Sequence, residues 1–174
     1  KGVAQAEIDA LQMCRQKGYR RPDDLSRLAD LYAAGGDAAQ AATLLRSIDD
    51  LRRLNTTRER FQLLTLLVEL DQPKEAERRC LRWIRSTKDD GLAIGLIEIL
   101  ARSKYPDAAI EVAKDAGAPG DSISLTVAER LIERSQPGPA RLYLKGWFDN
   151  ATASDETTLL RFIDAALTAG DPAT

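Results

Sequence analysis

The chain has 174 residues, of which 44% are hydrophobic, 30% charged and 5% aromatic, and its formal net charge is −2. This apolar share excludes a disordered chain, and the absence of histidine excludes zinc sites with histidine ligands and Ser–His–Asp triads. The net charge argues against nucleic acid as a partner, because a protein that neutralises phosphates needs an excess of lysine and arginine. Alanine and leucine together make up more than a quarter of the residues, which predicts an all-α fold.

The apolar residues recur with the helical period, as in Leu25, Leu28 and Leu31, and turn-forming residues separate the periodic runs. In chain order, the pattern predicts one helix over residues 3–17 followed by a series of antiparallel helix pairs. The first helices of these pairs are predicted over residues 23–34, 57–70, 90–103, 122–135 and 155–169. The second helices are predicted over residues 38–52, 73–86, 106–116 and 137–149. Thr56 with Glu59 forms a possible capping box, and Asp155 suits a helix start.

An internal period organises these helices. Prolines recur at intervals of 33, 31 and 35 residues, at Pro73, Pro106, Pro137 and Pro172. Alanines follow three residues after the first three prolines, at Ala76, Ala109 and Ala140. Proline is favoured at the first helical position, where its missing N–H has no intrahelical partner, so each proline predicts the start of a second helix.

The period divides the chain into six predicted segments. Residues 1–21 are predicted to end a preceding repeat, and residues 155–174 to begin a truncated one. The four repeats between them are predicted over residues 22–56, 57–89, 90–120 and 121–154.

The stretch LADLYAAGGDAAQAATLL, residues 28–45, resembles a tetratricopeptide repeat. The residues in its signature positions are Leu25, Leu28, Ala29, Tyr32, Ala41, Leu45 and Ile48. Later segments keep the skeleton in degenerate form. The resemblance covers residues 22–170 and implies a right-handed α-solenoid, a superhelix of antiparallel helix pairs.

In that family the first helices line a concave groove, and positions two, five, nine, twelve and thirteen of each repeat usually contact the ligand; the residues singled out here are at positions five, nine and thirteen. The resemblance therefore implies ten groove residues in this chain, which we call the groove positions. The apolar groove positions are Phe61, Ile94, Leu125 and Leu160. The acidic groove positions are Asp30, Glu69, Glu98, Glu129, Glu133 and Asp164.

Apolar and acidic residues four apart share one helix face, so stacked repeats would form an apolar ladder beside an acidic one. Because like charges in a concavity need compensation, we expect a basic or amphipathic protein segment, or a cationic polymer, as the partner. The alternative is that position five packs under the neighbouring helix and position nine is merely solvated. No apolar run approaches the roughly 20 residues of a membrane span, so we expect no direct membrane insertion.

No catalytic constellation is found in the sequence, and we expect neither an enzyme nor a cofactor or metal site. The predicted helix over 73–86 carries a line of arginines, Arg78, Arg82 and Arg85, which suits either a basic docking patch or a solvated face paired with Glu75 and Glu77.

The two cysteines, Cys14 and Cys80, are 66 residues apart and belong to no metal-binding or redox motif. Both lie in helical patterns among apolar neighbours. We therefore expect packing rather than redox chemistry from them.

These features predict a non-catalytic protein-binding scaffold that is a fragment of a longer tetratricopeptide-repeat protein. The alternatives are an architectural spacer that binds nothing, or a cytoplasmic adaptor. The Ala-, Leu- and Arg-rich degenerate array resembles the periplasmic repeat regions of bacterial exopolysaccharide export proteins, such as the Pel-type outer-membrane porin. This resemblance implies a periplasmic setting and a role in recruiting partners for polysaccharide secretion.

Overall fold

The computed structural model of the chain describes residues 2–115, 120–148 and 156–170. Within these ranges the chain is all-helical and no strand occurs. The helices are α1 (Gly2–Gln16), α2 (Pro22–Ala34), α3 (Ala38–Asp50), α4 (Thr57–Glu69), α5 (Pro73–Thr87), α6 (Asp90–Ala101), α7 (Pro106–Asp115), α8 (Gly120–Glu133), α9 (Pro137–Phe148) and α10 (Glu156–Thr168). Every predicted helix is confirmed, and each predicted end lies within two residues of the observed end.

The helix starts follow the local chemistry of the sequence. Pro73, Pro106 and Pro137 are the first residues of α5, α7 and α9, as their period predicts. The capping box is also confirmed, because Thr56 Oγ1 accepts from the Glu59 N–H while the Glu59 carboxylate accepts from the Thr56 N–H, each at 3.2 Å. The predicted starts at Asp155 and Pro172 lie outside the described residues.

Four of the first helices end in a shared turn geometry, which also follows α1 and α3, at Gly18 and Arg52, and is absent after α6. The residues two after the ends of α2, α4, α8 and α10 have positive φ, at 84°, 60°, 56° and 77° for Gly36, Asp71, Ser135 and Gly170. After the first three of these residues, the next N–H donates to a carbonyl five residues earlier at 2.9 Å, which closes the helix end. Glycine adopts this left-handed conformation without strain, whereas Asp71 and Ser135 do not.

The chain forms two compact units, Lys1–Gln72 and Pro73–Thr174, and each has its own core. In the first unit α3 packs against both α2 and α4, and α1 packs against α2. In the second unit α6 packs against α7 and α8, α8 packs against α9 and α10, and α7 packs against α5 and α9. The alanines at the fourth position of α3, α5, α7 and α9 are 0% exposed, at Ala41, Ala76, Ala109 and Ala140. Their burial explains why a small residue recurs there.

The boundary between the units follows α4 and so falls inside the predicted repeat 57–89. This division into two units does not test the other predicted repeat boundaries, so the six repeat segments stay a prediction. None of the helices in the described ranges combines the length and apolar character needed to cross a membrane.

The two cysteines are free thiols in different environments. Cys80 is fully buried, and burial, followed by the nearby Glu77 carboxylate, raises the pKa of its thiol far above the ordinary value. Cys14 is exposed, so the expectation that it packs among apolar neighbours is wrong. The apolar residues near it in sequence do not cover its position on α1.

Candidate functional site

The groove positions lie on α2, α4, α6, α8 and α10, as expected of first helices, but they differ in exposure. Four are exposed: Glu69, Glu133, Leu160 and Asp164. Four are half-buried: Asp30, Phe61, Ile94 and Glu129. Leu125 and Glu98 are only 1% and 5% exposed, because α8 packs directly on both α6 and α10. These two side chains do not present an open binding surface to a partner.

Arginines of the chain itself bind three of the acidic groove positions. Arg58 of α4 lies 3.0 Å from Asp30 of α2. Arg161 of α10 likewise lies 2.9 Å from Glu129 of α8. The third is Glu98 of α6, which lies 2.9 Å from Arg134. The acidic ladder is therefore compensated from within at these three positions, and it does not require a basic partner there.

The sequence carried a signal for these ion pairs that the analysis of single helix faces misses. Arg58 follows Asp30 by 28 residues, and Arg161 follows Glu129 by 32 residues, which is close to one repeat length. Residues one repeat apart on successive first helices can lie side by side when such repeats stack. A search for opposite charges at that spacing would have found both pairs.

A cleft in the first unit contains an acidic groove position, Glu69, that no arginine neutralises in the described part of the chain. It encloses about 310 Å³ between the end of α2, the start of α3 and the middle of α4. Its lining residues are Ala33, Gly36, Ala38, Gln62, Thr65, Leu66 and Glu69. We call this space the α2–α4 cleft. α2 and α4 each pack on α3, but their backbones do not pack closely on each other, and this leaves space between them.

The polar groups of the α2–α4 cleft are mainly acceptors. Glu69 is exposed, and no ion pair of its carboxylate occurs in the described part of the chain. Gln62 Oε1 is buried and has no hydrogen-bond partner. The Thr65 hydroxyl donates to the Phe61 carbonyl at 3.0 Å, so its remaining capacity is also to accept. The cleft can therefore satisfy a donor-rich cationic group.

Polar contacts hold α2 and α4 beside the cleft. Besides the Arg58–Asp30 ion pair, Ser26 of α2 makes a side-chain hydrogen bond with Glu59 of α4. Partial burial raises the pKa of the Glu59 carboxyl, but the hydrogen bonds with Ser26 and Thr56 outweigh this effect. The pKa of Glu59 therefore lies below its ordinary value.

A cluster of three arginines surrounds the buried Glu98 carboxylate in the second unit. Arg134 Nη1 lies 2.9 Å from Glu98 Oε1, Arg102 Nη1 lies 3.7 Å from the same oxygen, and Arg130 Nη1 lies 3.9 Å from Oε2. The arginine side chains are between 40% and 54% exposed, whereas the Glu98 side chain is 6% exposed. We call these three residues the Glu98 arginine cluster.

The arginine line of α5 is confirmed as one surface. Arg78, Arg82 and Arg85 line an open depression of about 760 Å³ together with Lys74, Glu77, Leu81 and Ser86. Arg79 instead points into the protein, where it is 4% exposed and lies 2.9 Å from Glu75. All lining residues of this α5 depression lie on one helix, so the depression is open and encloses a ligand less than the α2–α4 cleft does.

Within the described residues, no group of three or more histidine, cysteine, aspartate or glutamate side chains is placed to hold a metal ion. Comparison with protein-family models, with curated proteins and with solved structures finds no match for this chain.

Proposed function

We propose that this chain is a non-catalytic protein-binding scaffold of the tetratricopeptide type, with its helix pairs arranged as a right-handed solenoid. Support comes from the regular succession of short helices and from the prolines that begin three second helices. Within each unit, every helix packs on its neighbours in sequence, which is also what such arrays require.

The α2–α4 cleft is the single observation that carries the binding proposal. Leaving a buried acceptor such as Gln62 Oε1 without a partner costs about 1–3 kcal/mol, and a donor in the cleft recovers this free energy once the Gln62 side chain turns toward it. The exposed Glu69 carboxylate attracts positive charge, and the Leu66 side chain gives the cleft an apolar wall. The ligand that fits is a lysine or arginine side chain flanked by apolar residues, on a protein segment or on a cationic polymer.

The proposal is non-catalytic because the groups that line the cleft suit binding rather than turnover. Its lining holds one carboxylate, one amide and one hydroxyl, and the Thr65 hydroxyl is engaged with the backbone of its own helix. A nucleophile needs an adjacent base, and no lining residue of the cleft forms such a pair with Thr65.

The test uses labelled peptides and fluorescence anisotropy on the whole 174-residue chain. Probes alternate leucine with either lysine or glutamate, and polylysine represents the cationic polymer. We expect saturable binding of the lysine probe that weakens but persists at high salt, because the apolar contacts are not screened. The Glu69→Gln variant should lose about five- to tenfold in affinity. Glu133→Gln is the matched control, since Glu133 is exposed at the same motif position of α8.

Gln62→Leu gives a second measurement on the same site. It removes the buried acceptor, so it should raise the melting temperature of the free chain while weakening the lysine probe. If none of the probes binds the native chain, the architectural spacer replaces the scaffold. Equal losses from Glu69→Gln and Glu133→Gln would place binding outside the α2–α4 cleft.

The setting that we propose is the bacterial periplasm, where the scaffold would recruit partner proteins in polysaccharide secretion. Its support is the resemblance in composition to the repeat regions of exopolysaccharide export proteins. Cell fractionation that finds the full-length protein in the cytoplasm would remove this setting and favour a cytoplasmic adaptor, without changing the proposal for the cleft.

A further inference from the structure

The charge balance of the Glu98 arginine cluster differs from that of the other ion pairs on the first helices. Asp30 and Glu129 each have one arginine, Arg58 and Arg161, so each pair is neutral. Glu98 has three arginines within 4 Å, so one negative charge faces three positive charges. The cluster carries a local surplus of two positive charges on a chain whose net charge is −2.

The hydrogen-bonding capacity of the cluster is also unused. Three guanidinium groups offer about 15 N–H donors, whereas a carboxylate accepts about four hydrogen bonds. Even the nearest contact is not a hydrogen bond, because Glu98 Oε1 has no hydrogen-bond partner although Arg134 Nη1 lies 2.9 Å away. One arginine would neutralise Glu98. The other two leave positive charge and donors on a half-exposed surface.

From this geometry we propose that the Glu98 arginine cluster is a docking site for an acidic protein segment, with aspartate or glutamate side chains as the groups it binds. The arginines lie at the ends of two adjacent helices, since Arg102 follows the last residue of α6 and Arg134 follows the last residue of α8. Planar guanidinium groups match the carboxylate in geometry and bind it with paired hydrogen bonds.

A protein segment fits this surface better than a polyphosphate chain. The exposed Glu133 stands next to Arg134 in sequence, and the chain as a whole is negatively charged, so a dense polyanion is repelled beyond the cluster. A peptide with single, spaced carboxylates neutralises the surplus positive charge of the cluster without placing many further negative charges against the acidic surface around it. This inference does not rest on the α2–α4 cleft, which lies in the other unit and prefers the opposite charge.

The experiment measures binding of a labelled peptide of alternating glutamate and glycine to the whole chain by fluorescence anisotropy at low salt. Arg134→Gln and Arg102→Gln should each raise Kd by about five- to tenfold. Arg161→Gln is the matched control, because Arg161 is 53% exposed and belongs to a neutral pair, and it should change Kd less than about twofold. Circular dichroism confirms that each variant is folded.

Glu98→Gln separates a docking role from a merely structural one. It removes the one negative charge and leaves three arginines, so it should tighten binding of the acidic peptide by about threefold even if it lowers stability. A purely structural cluster predicts no gain.

The proposal is overturned by any of three results. The first is that the native chain shows no saturable binding of the acidic peptide. The second is that Arg161→Gln weakens binding as much as Arg134→Gln does. The third is that inorganic phosphate or a single-stranded oligonucleotide competes as well as the peptide does on a molar basis. Glu69→Gln should leave the acidic peptide unaffected, so failure here and failure of the cleft proposal are distinguishable.

Discussion

The two units use the same motif positions on their first helices in different ways. In the first unit polar groups join α2 and α4, namely the Arg58–Asp30 ion pair and the Ser26–Glu59 hydrogen bond, and a cleft opens beside them. In the second unit α8 packs directly on both α6 and α10, and the residue at position five of α8, which corresponds to Ser26 of α2, is the buried Leu125. The buried Leu125 leaves no open surface at this position of α8, whereas the first unit keeps a cleft beside the C-terminal half of α4.

The substitution with the largest expected effect tests that difference at one motif position. Leu125→Ala removes a side chain that is 1% exposed and should lower the free energy of unfolding by about 2–5 kcal/mol. Leu160→Ala is the matched control, because Leu160 holds the same motif position on α10 but is 58% exposed. It should cost less than about 0.5 kcal/mol. Denaturant unfolding measures both, and equal losses would contradict the closed packing in the second unit.

A smaller effect is expected from alkaline pH on the second unit. Tyr143 is 1% exposed and its hydroxyl donates to Ser124 Oγ at 3.2 Å. Burial raises the pKa of Tyr143 from 10.0 to about 12, while the hydrogen bond with Ser124 lowers it slightly. Because the folded pKa is above the unfolded one, this stabilisation is complete below pH 10 and is lost as the pH rises through about 12.

As the pH rises from 10 to about 12, we therefore expect the native chain to lose about 2 kcal/mol more unfolding free energy than the Tyr143→Phe variant loses. Tyr19→Phe is the control, since Tyr19 is 65% exposed, and it should keep the full alkaline loss. Identical pH profiles for the native chain and Tyr143→Phe would show that this hydroxyl is not sealed in the core.

The smallest effects concern the turn that both units share, and here we expect similarity rather than difference. Gly36→Ala forces alanine to φ 84° and should destabilise the first unit by about 1 kcal/mol, although an added Cβ meets no atom within 4 Å. Ser135→Gly relieves strain at φ 56° and should stabilise the second unit by a similar or smaller amount. Thermal unfolding followed by circular dichroism measures both changes, and the opposite signs are what distinguish backbone strain from lost contacts.

Local structure was the part of this protein that the sequence predicted well. Prolines at Pro73, Pro106 and Pro137, and the Thr56 capping box, act within one helical turn, so their effects are readable from short segments. The exposure of the groove positions was harder to predict, because it depends on how closely successive first helices approach. Leu125 and Glu98 were expected on an accessible face, yet the packing of α8 on α6 buries both.

The candidate site was predictable only in part for the same reason. Glu69 was identified as a groove position, but Gln62 was not, because the family pattern does not mark its position and its buried acceptor is visible only in three dimensions. Arg102 forms a local i, i+4 pair with Glu98, whereas Arg130 and Arg134 come from the next first helix, and only their one-repeat spacing could have indicated that they meet Glu98.

Because Cys14 is exposed and Cys80 is buried, cysteine labelling can measure the stability of the chain without any added probe. A maleimide should react quickly with the exposed Cys14, while Cys80, buried and with a raised pKa, becomes reactive only when the second unit opens. Mass spectrometry would then count one label on the folded chain and two on the unfolded chain. The rate at which the second label appears gives the opening equilibrium around α5 without denaturant, and comparing it with global unfolding shows whether the two units come apart together or one at a time.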